Sequence, residues 1–247
     1  MNEKNKINDV DFSVVVPAFN EENFIGKTLG SLLEATKTPH GGLKGEIIVV
    51  DNNSTDRTAE FAREKGAKVV FEKINCIARA RNAGAKAATG KYLFFVDADT
   101  CVSARLMNEA LLQMEDRKVC GGGGDVTFDI ELPLFGKMFL VFWNTLVKIY
   151  PMAAGSFLFC RKDAWEQTGG FDEKLYASEE VHFSRELRRW GRSNGYKFKL
   201  LKIQTVTSGR KFSWYSASRI VLSFAFFAIF PFAVRSRRLC AMWYERK

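Results

Sequence analysis

The sequence predicts an α/β fold with a mostly parallel central sheet flanked by helices. Two observations carry this expectation. Short apolar runs rich in β-branched and aromatic residues recur at 12–16, 46–50, 68–71 and 92–96, and stretches of helical spacing separate them. Strands alternating with helices at that spacing mean parallel pairing through right-handed crossovers. A third observation sets the scale: 247 residues can hold one large α/β domain or two small ones.

Each element has its own local justification. Residues 1–10 are polar and read as a tail. The run 12–16 is ended by Pro17 and makes the first buried strand. Asn20 is expected to cap the next helix, with Glu21 and Glu22 in its first turn and Ile25, Leu29, Leu32 and Leu33 as one apolar stripe. Pro39 and two adjacent glycines make 38–45 a loop before the second strand, 46–50. The turn 51–54 leads to a helix expected over 55–65 and stopped by Gly66. A third strand, 68–71, a helix over 78–88 stopped by Gly90, and a fourth strand, 92–96, follow. Farther on, the glycine run 121–124 reads as a flexible turn before a strand-like 125–130. A helix carrying Phe183, Leu187 and Trp190 and a strand over 198–206 complete the pattern.

Composition narrows the partners. The formal charge of +9 and pI near 9.3 favour a polyanionic neighbour, among which nucleotide phosphates and anionic lipid rank above nucleic acid, because no nucleic-acid-binding module is present. Five widely spaced cysteines without a C-x-x-C pair read as reduced thiols, and the polar start MNEKNKINDVDF lacks the apolar core of a signal peptide. Both features place the catalytic part in the cytoplasm. The segment after the first strand is PAFNEE rather than G-x-G-x-x-G, and no G-K-[ST] occurs, which argues against a dinucleotide fold and a triphosphate loop.

The chemistry concentrates where the fourth apolar run ends in Asp97 and Asp99. Alternation along a strand puts these two carboxylates on one side and turns Ala98 into the core. Like charges this close are compensated by a hard divalent cation, which takes oxygen ligands and shares them with substrate phosphates. The alternative is that Asp99 and Thr100 open a turn and cap the helix around 106–114. Ligands of parallel sheets gather at the carboxyl ends of the strands, so Asn20, Asp51, Asp97 and Asp99 fall under suspicion together.

Five segments in order, VVVPAFNEE at 14–22, VDNNSTD at 50–56, ARARNAG at 78–84, VDAD at 96–99 and GGFDEKLYASEE at 169–180, resemble those of family 2 glycosyltransferases over about 11–211. The resemblance implies a GT-A-type fold, a nucleotide-sugar donor with a UDP-sugar favoured, Mg²⁺ or Mn²⁺, and inversion at the anomeric carbon. It puts Pro17, Ala18, Asn20 and Glu21 in a nucleotide-contacting loop and Asp51 at the imide edge of the base. Ser54 is a donor contact or, with Asp56, a helix cap. Arg81 and Asn82 lie near the donor, Asp97 toward ribose and metal, and Asp99 on the metal. Glu180 stands where an aspartate base is usual and, held ionised in a helix first turn, takes the acceptor proton, with Glu179 as the fallback. Arg210 and Lys211 could close over the diphosphate, or form a plain basic turn. Residues 155–157 line the acceptor side.

Two segments fall outside the soluble pattern. Residues 132–150 are apolar and aromatic but broken by Lys137, Asn144 and Lys148. Residues 220–234 would measure about 22 Å as a helix, short of the ~30 Å hydrocarbon thickness. With the basic end at 235–247, residues 212–247 read as an amphipathic or hydrophobic helical appendage, peripheral at the inner face of the cell membrane, with packing on the core or dimerisation as alternatives. The expected acceptor is a glycan or lipid-linked hydroxyl, or a polyprenyl phosphate, in cell-envelope glycan or glycolipid synthesis. The competing class is a nucleotide-sugar-binding membrane scaffold whose catalytic residue has drifted.

Overall fold

The structure, a computed structural model, describes residues 10–116 and 118–245. Most of the expected tail, and Arg246 and Lys247 of the basic end, lie outside them. In chain order the elements are β1 (Phe12–Ala18), α1 (Glu22–Ala35), β2 (Gly45–Asp51), α2 (Thr58–Glu64), β3 (Lys68–Phe71), α3 (Ile77–Ala87), β4 (Tyr92–Phe95), β5 (Thr100–Cys101), α4 (Ala104–Glu115) and β6 (Val119–Phe128). They continue with α5 (Leu134–Ile149), β7 (Leu158–Arg161), α6 (Lys162–Thr168), α7 (Glu179–Asn194), β8 (Lys197–Thr207), α8 (Lys211–Trp214), α9 (Ala217–Ile229), a 3₁₀ turn (Pro231–Arg235) and α10 (Ala241–Tyr244).

One eight-stranded sheet runs β3-β2-β1-β4-β7-β6-β8-β5. The first four strands pair in parallel, as their spacing predicts; β7 is antiparallel to both β4 and β6, whereas β6 and β8 are parallel. Helices cover both faces, so the central strands read as continuous apolar runs. Along β4 the pleat divides the side chains: Tyr92 and Phe94 join α1 and α4 in one core cluster, while Leu93 and Phe95 join α3, α6 and α7 in the other.

Several local expectations need correction. The glycine run 121–124 is the middle of β6, between β7 and β8. A Cβ at Gly122 would run into the carbonyl oxygen of Lys199 on β8 and the ring of Phe159 on β7, so the run serves close packing and not flexibility. The α2 helix starts at Thr58, three residues later than expected. Asn20 does not cap α1; it has a left-handed φ of 51°, and the cap position belongs to Glu21 without a side-chain bond. The start of α1 is held instead by the 54–58 loop. Ser54 Oγ, Thr58 Oγ1 and Asp56 Oδ2 accept from the N–H groups of Asn20, Glu21 and Glu22 at 3.0, 2.8 and 3.1 Å. Ser103, not Asp99 or Thr100, caps α4 by accepting from the Leu106 N–H at 3.2 Å.

Candidate active site

The strand β4 stops at Phe95, so Asp97 and Asp99 sit in a turn closed by the Thr100 N–H donating to the Asp97 carbonyl at 3.1 Å. The expected division survives this change: Ala98 is buried, and both aspartates face one pocket of about 170 Å³ at the carboxyl edge of the parallel strands. Pro17, Ala18 and Glu21 reach it from the end of β1, Arg81 from α3, Glu179 and Glu180 from the first turn of α7, and Arg210 and Lys211 from the segment after β8.

Two arginines organise the carboxylates. Arg81 is buried and donates to Asp97 Oδ1 at 2.8 Å and, through its other terminal nitrogen, to Glu179 Oε1. Gly155 makes this possible, because a Cβ there would collide with Arg81 Nη2. Burial alone pulls the Arg81 pKa down, but Glu179, Asp97 and Glu180 together reverse this and raise it above its ordinary value. Arg210 forks onto Glu21 at 2.7 and 2.6 Å and reaches Asp99 Oδ2 at 3.0 Å, its guanidinium 4.4 Å from the Phe24 ring centroid. Arg81 and Arg210 are thus engaged by protein carboxylates.

The remaining carboxyls show the charge imbalance. Burial, helped by Glu21 and Asp97 and opposed by Arg210, pushes Asp99 up to about 6. Burial and the neighbouring Glu179, opposed by Arg81, push Glu180 up to about 8. Burial is the larger cause and the neighbouring carboxylates add to it, so in this structure both work against the ionised form that the helix first turn favours. Five acidic and three basic side chains line the pocket, 3 − 5 = −2.

A divalent cation would cancel that excess, and the oxygens of Asp97 and Asp99 suit a hard ion. Among the described residues no three His, Cys, Asp or Glu side chains are grouped as a ready metal cage. The residues present therefore fit an ion that completes its shell with phosphate oxygens and water, the habit of Mg²⁺ and its relatives.

Other predicted residues are placed apart from the pocket lining. Asp51 Oδ1 accepts from the Ser54 N–H at 2.9 Å, and Asn20 Oδ1 accepts from the Thr55 N–H at 2.8 Å. Asn82 is buried in a reciprocal pair with the backbone of Phe171, at 2.8 and 3.0 Å. Its neighbour Arg79 bonds Glu173 at 2.7 Å. Asn52 does reach the pocket wall, while its amide ties the carbonyls of Glu72 and Ile74 and the Cys76 N–H. Trp243 and Tyr244 of α10 also line the pocket. No motif announced them, since only tertiary packing brings the chain's last described helix to the end of β1.

A second cavity, of about 510 Å³, lies on the far side of Asp97, Asp99, Glu180 and Lys211. Its walls come from β6, α5, α7, the end of β8, α8, α9, the 3₁₀ turn and α10, with Ala154, Ser156, Ser178 and Ser208 between them.

The family model for glycosyl transferase family 2 matches residues 13–158, more than half of the chain. The chain belongs to that family. It is 36% identical over 118 residues to the uncharacterized glycosyltransferase EpsJ of Bacillus subtilis, covering 44% of this chain and 33% of EpsJ. It is 32% identical over 154 residues to glucosyl-3-phosphoglycerate synthase of Mycolicibacterium smegmatis, covering 51% and 50%. The chain thus spans half or less of these two relatives. Among solved structures it superposes on mannosyltransferase PcManGT of Pyrobaculum calidifontis, in complex with GDP-Man and Mn²⁺, with TM-score 0.64 and 21% identity, covering 82% of this chain and 59% of that one. TarS of S. aureus, residues 1–349 with UDP-GlcNAc, gives TM-score 0.62 and 22% identity, covering 81% and 59%. These likenesses establish the GT-A-type fold.

Proposed function

We propose that the protein is an inverting, metal-dependent glycosyltransferase of cell-envelope glycan or glycolipid synthesis. It would move a sugar from a nucleotide-diphosphate donor to an acceptor hydroxyl or a polyprenyl phosphate. The observation that carries this reading is the convergence of Asp97, Asp99, Arg81, Arg210 and the Glu179–Glu180 pair on one pocket at the carboxyl edge of the sheet. Family membership and the Mn²⁺ in the PcManGT structure support it. A UDP-sugar is the favoured donor, with Asp51 the carboxylate assigned to its base; the nucleotides named with the solved relatives are UDP-GlcNAc and GDP-Man.

In this mechanism Asp99 and Asp97 would hold Mg²⁺ or Mn²⁺, which would supply electrostatic stabilisation of the departing nucleoside diphosphate. Arg210 and Lys211, on the wall of the same pocket, would bind the donor phosphates. Arg81 fixes Asp97 and Glu179 on either side of the reacting centre. Glu180 takes the proton from the acceptor hydroxyl as that oxygen attacks the anomeric carbon from the face opposite the leaving group. The pocket of about 170 Å³ is below the ~300–1,000 Å³ usual for ligand sites, and Trp243 and Tyr244 form part of its wall.

The chain is assigned to the inner face of the membrane. Among the described residues no helix is long and apolar enough to cross a membrane. Leu134, Met138, Val141 and Phe142 of α5 and Leu222, Phe226 and Ile229 of α9 are nevertheless exposed, which suits a lipid interface.

Thermal stabilisation by a panel of nucleoside diphosphates, with and without Mn²⁺, tests the donor site. The expected result is a metal-dependent rise with UDP that disappears in Asp99→Asn. Silence from every nucleotide would remove the donor assignment. The second reading, a scaffold that binds nucleotide-sugar without turnover, draws on Glu180, whose carboxyl is pushed up to about 8 and so protonated at neutral pH. Donor turnover at pH 9 decides between them.

A further inference from the structure

We infer that the second cavity is the seat of the acceptor's apolar chain, so that the acceptor is a single-chain lipid whose head offers a hydroxyl to Glu180. The inference rests on the transferase reading above and adds the class of its acceptor.

Three independent features lead there. The cavity combines polar and apolar walls. Asp97, Asp99, Glu180 and Lys211 are shared with the donor pocket, so a molecule in the cavity has the proposed base and the donor side within its reach, and Ser178, Thr207 and Ser208 add further polar groups for a head group. The apolar walls come from Val126 of β6, Leu140 and Trp143 of α5, Ile220 and Phe227 of α9, and Met242 of α10. A hydrocarbon chain gains by leaving water against such walls, which offer a glycan no hydrogen bonds.

Ser156 supplies the second feature. It is 6% exposed, lines this cavity, and its Oγ has no hydrogen-bond partner among the described residues. A buried hydroxyl is normally satisfied, and a head group carrying several hydroxyls would satisfy this one.

The third feature is the continuity of the body with an outer apolar surface. The α5 and α9 helices are apolar on two sides. Leu140, Trp143, Ile220 and Phe227 line the cavity, while Met138, Val141, Leu222 and Ile229 are each at least 66% exposed. A helix needs one apolar face to pack; a second is explained by an apolar environment outside. A lipid chain can pass from that environment into the cavity between two apolar helices.

The test is direct binding of alkyl glucosides below their micelle concentrations, read by tryptophan fluorescence, since Trp143 and Trp243 line the cavity. Affinity is expected to rise about tenfold for every two methylenes from hexyl to decyl glucoside, with methyl glucoside silent. Leu140→Glu and Phe227→Asp should weaken decyl glucoside binding at least tenfold and preserve the nucleotide-dependent thermal shift, which reports the donor pocket and the fold. Leu222→Asp and Ile229→Asp, on the outer face, should leave the binding constant within twofold.

Methyl and decyl glucoside binding equally would overturn the inference. So would decyl glucoside binding that survives both cavity variants, or that is lost only with the outer-face variants. Chain-length-dependent binding that needs the cavity residues, with no nucleotide shift in the parent, would uphold the lipid seat and remove the transferase reading instead.

Discussion

The two cavities share a wall of carboxylates but are built by opposite means. The proposed donor pocket is held by charge: Arg81 and Arg210, each engaged by protein carboxylates, draw together residues from the start of α1, the turn after β4, and α7. The second cavity is held open by apolar helices that carry hydrophobic side chains on two sides. The difference teaches that a GT-A-type scaffold can position its donor side through a few buried ion pairs, which tolerate little change. Its acceptor side can be shaped by bulk apolar surface, which tolerates much more. Substitutions should therefore be costly on the first side and selective on the second.

The largest effect should come from Arg81→Leu, which leaves Asp97 and Glu179 without their counter-ion in a buried place. Stability should fall by about 3–5 kcal/mol, read as the urea midpoint, and Arg81→Lys should recover part of it. An unchanged midpoint would mean that the donor side is not held by charge at all.

Next is Glu180→Gln. For a hydroxyl acceptor, kcat should fall by about 10²–10⁴ while donor binding persists; a phosphate acceptor would spare most of the activity. The pH dependence sharpens this. With its carboxyl pushed up to about 8, Glu180 is protonated below that value and becomes a base above it, so kcat/KM should climb with pH and level off beyond about 8. The glutamine variant should flatten the climb. The sign for stability is opposite: the fold prefers the protonated form, fully so below the ordinary value of 4.5, and loses that preference as pH rises through about 8.

Gly122→Ala tests β6, which lies between β7 and β8. Its methyl group would be driven into the Lys199 carbonyl, lowering stability by about 1–3 kcal/mol in a thermal melt. The smallest effect belongs to Arg57→Ala, whose partner Glu60 is exposed on α2; the melting temperature should not move measurably, which marks the contrast with Arg81.

The parallel half of the fold was legible because each strand there is a contiguous run of mostly apolar residues and helical spacing separates the runs; Pro17, expected to end β1, lies inside it, one residue before its last residue Ala18. Asp97, Asp99, Glu179, Glu180 and Arg81 were legible from motif order, Arg210 stood outside the motifs with a plain basic turn as its alternative, and the structure brings all six to one pocket. Residues 121–124 misled because a glycine run signals backbone freedom in a turn and backbone crowding in a strand, and only the neighbours decide which. Asn20 misled for a related reason. Its helix is capped from another loop, by Ser54, Asp56 and Thr58, and no local rule sees a partner 34 residues away. The α10 wall carries no sequence signal and is a product of packing alone, whereas Ser156 falls in the 155–157 segment that the sequence pointed to.

The fork from Arg210 to Glu21 spans 189 residues. At about 5–20 residues per second, a ribosome adds Glu21 roughly 10–40 s before it adds Arg210. Asp97 and Asp99 are added partway through that interval, and from then on the carboxylates lack the arginine that ties Glu21 to Asp99. The nascent chain therefore carries most of the sheet's parallel half yet no finished donor pocket until Arg210 has been made.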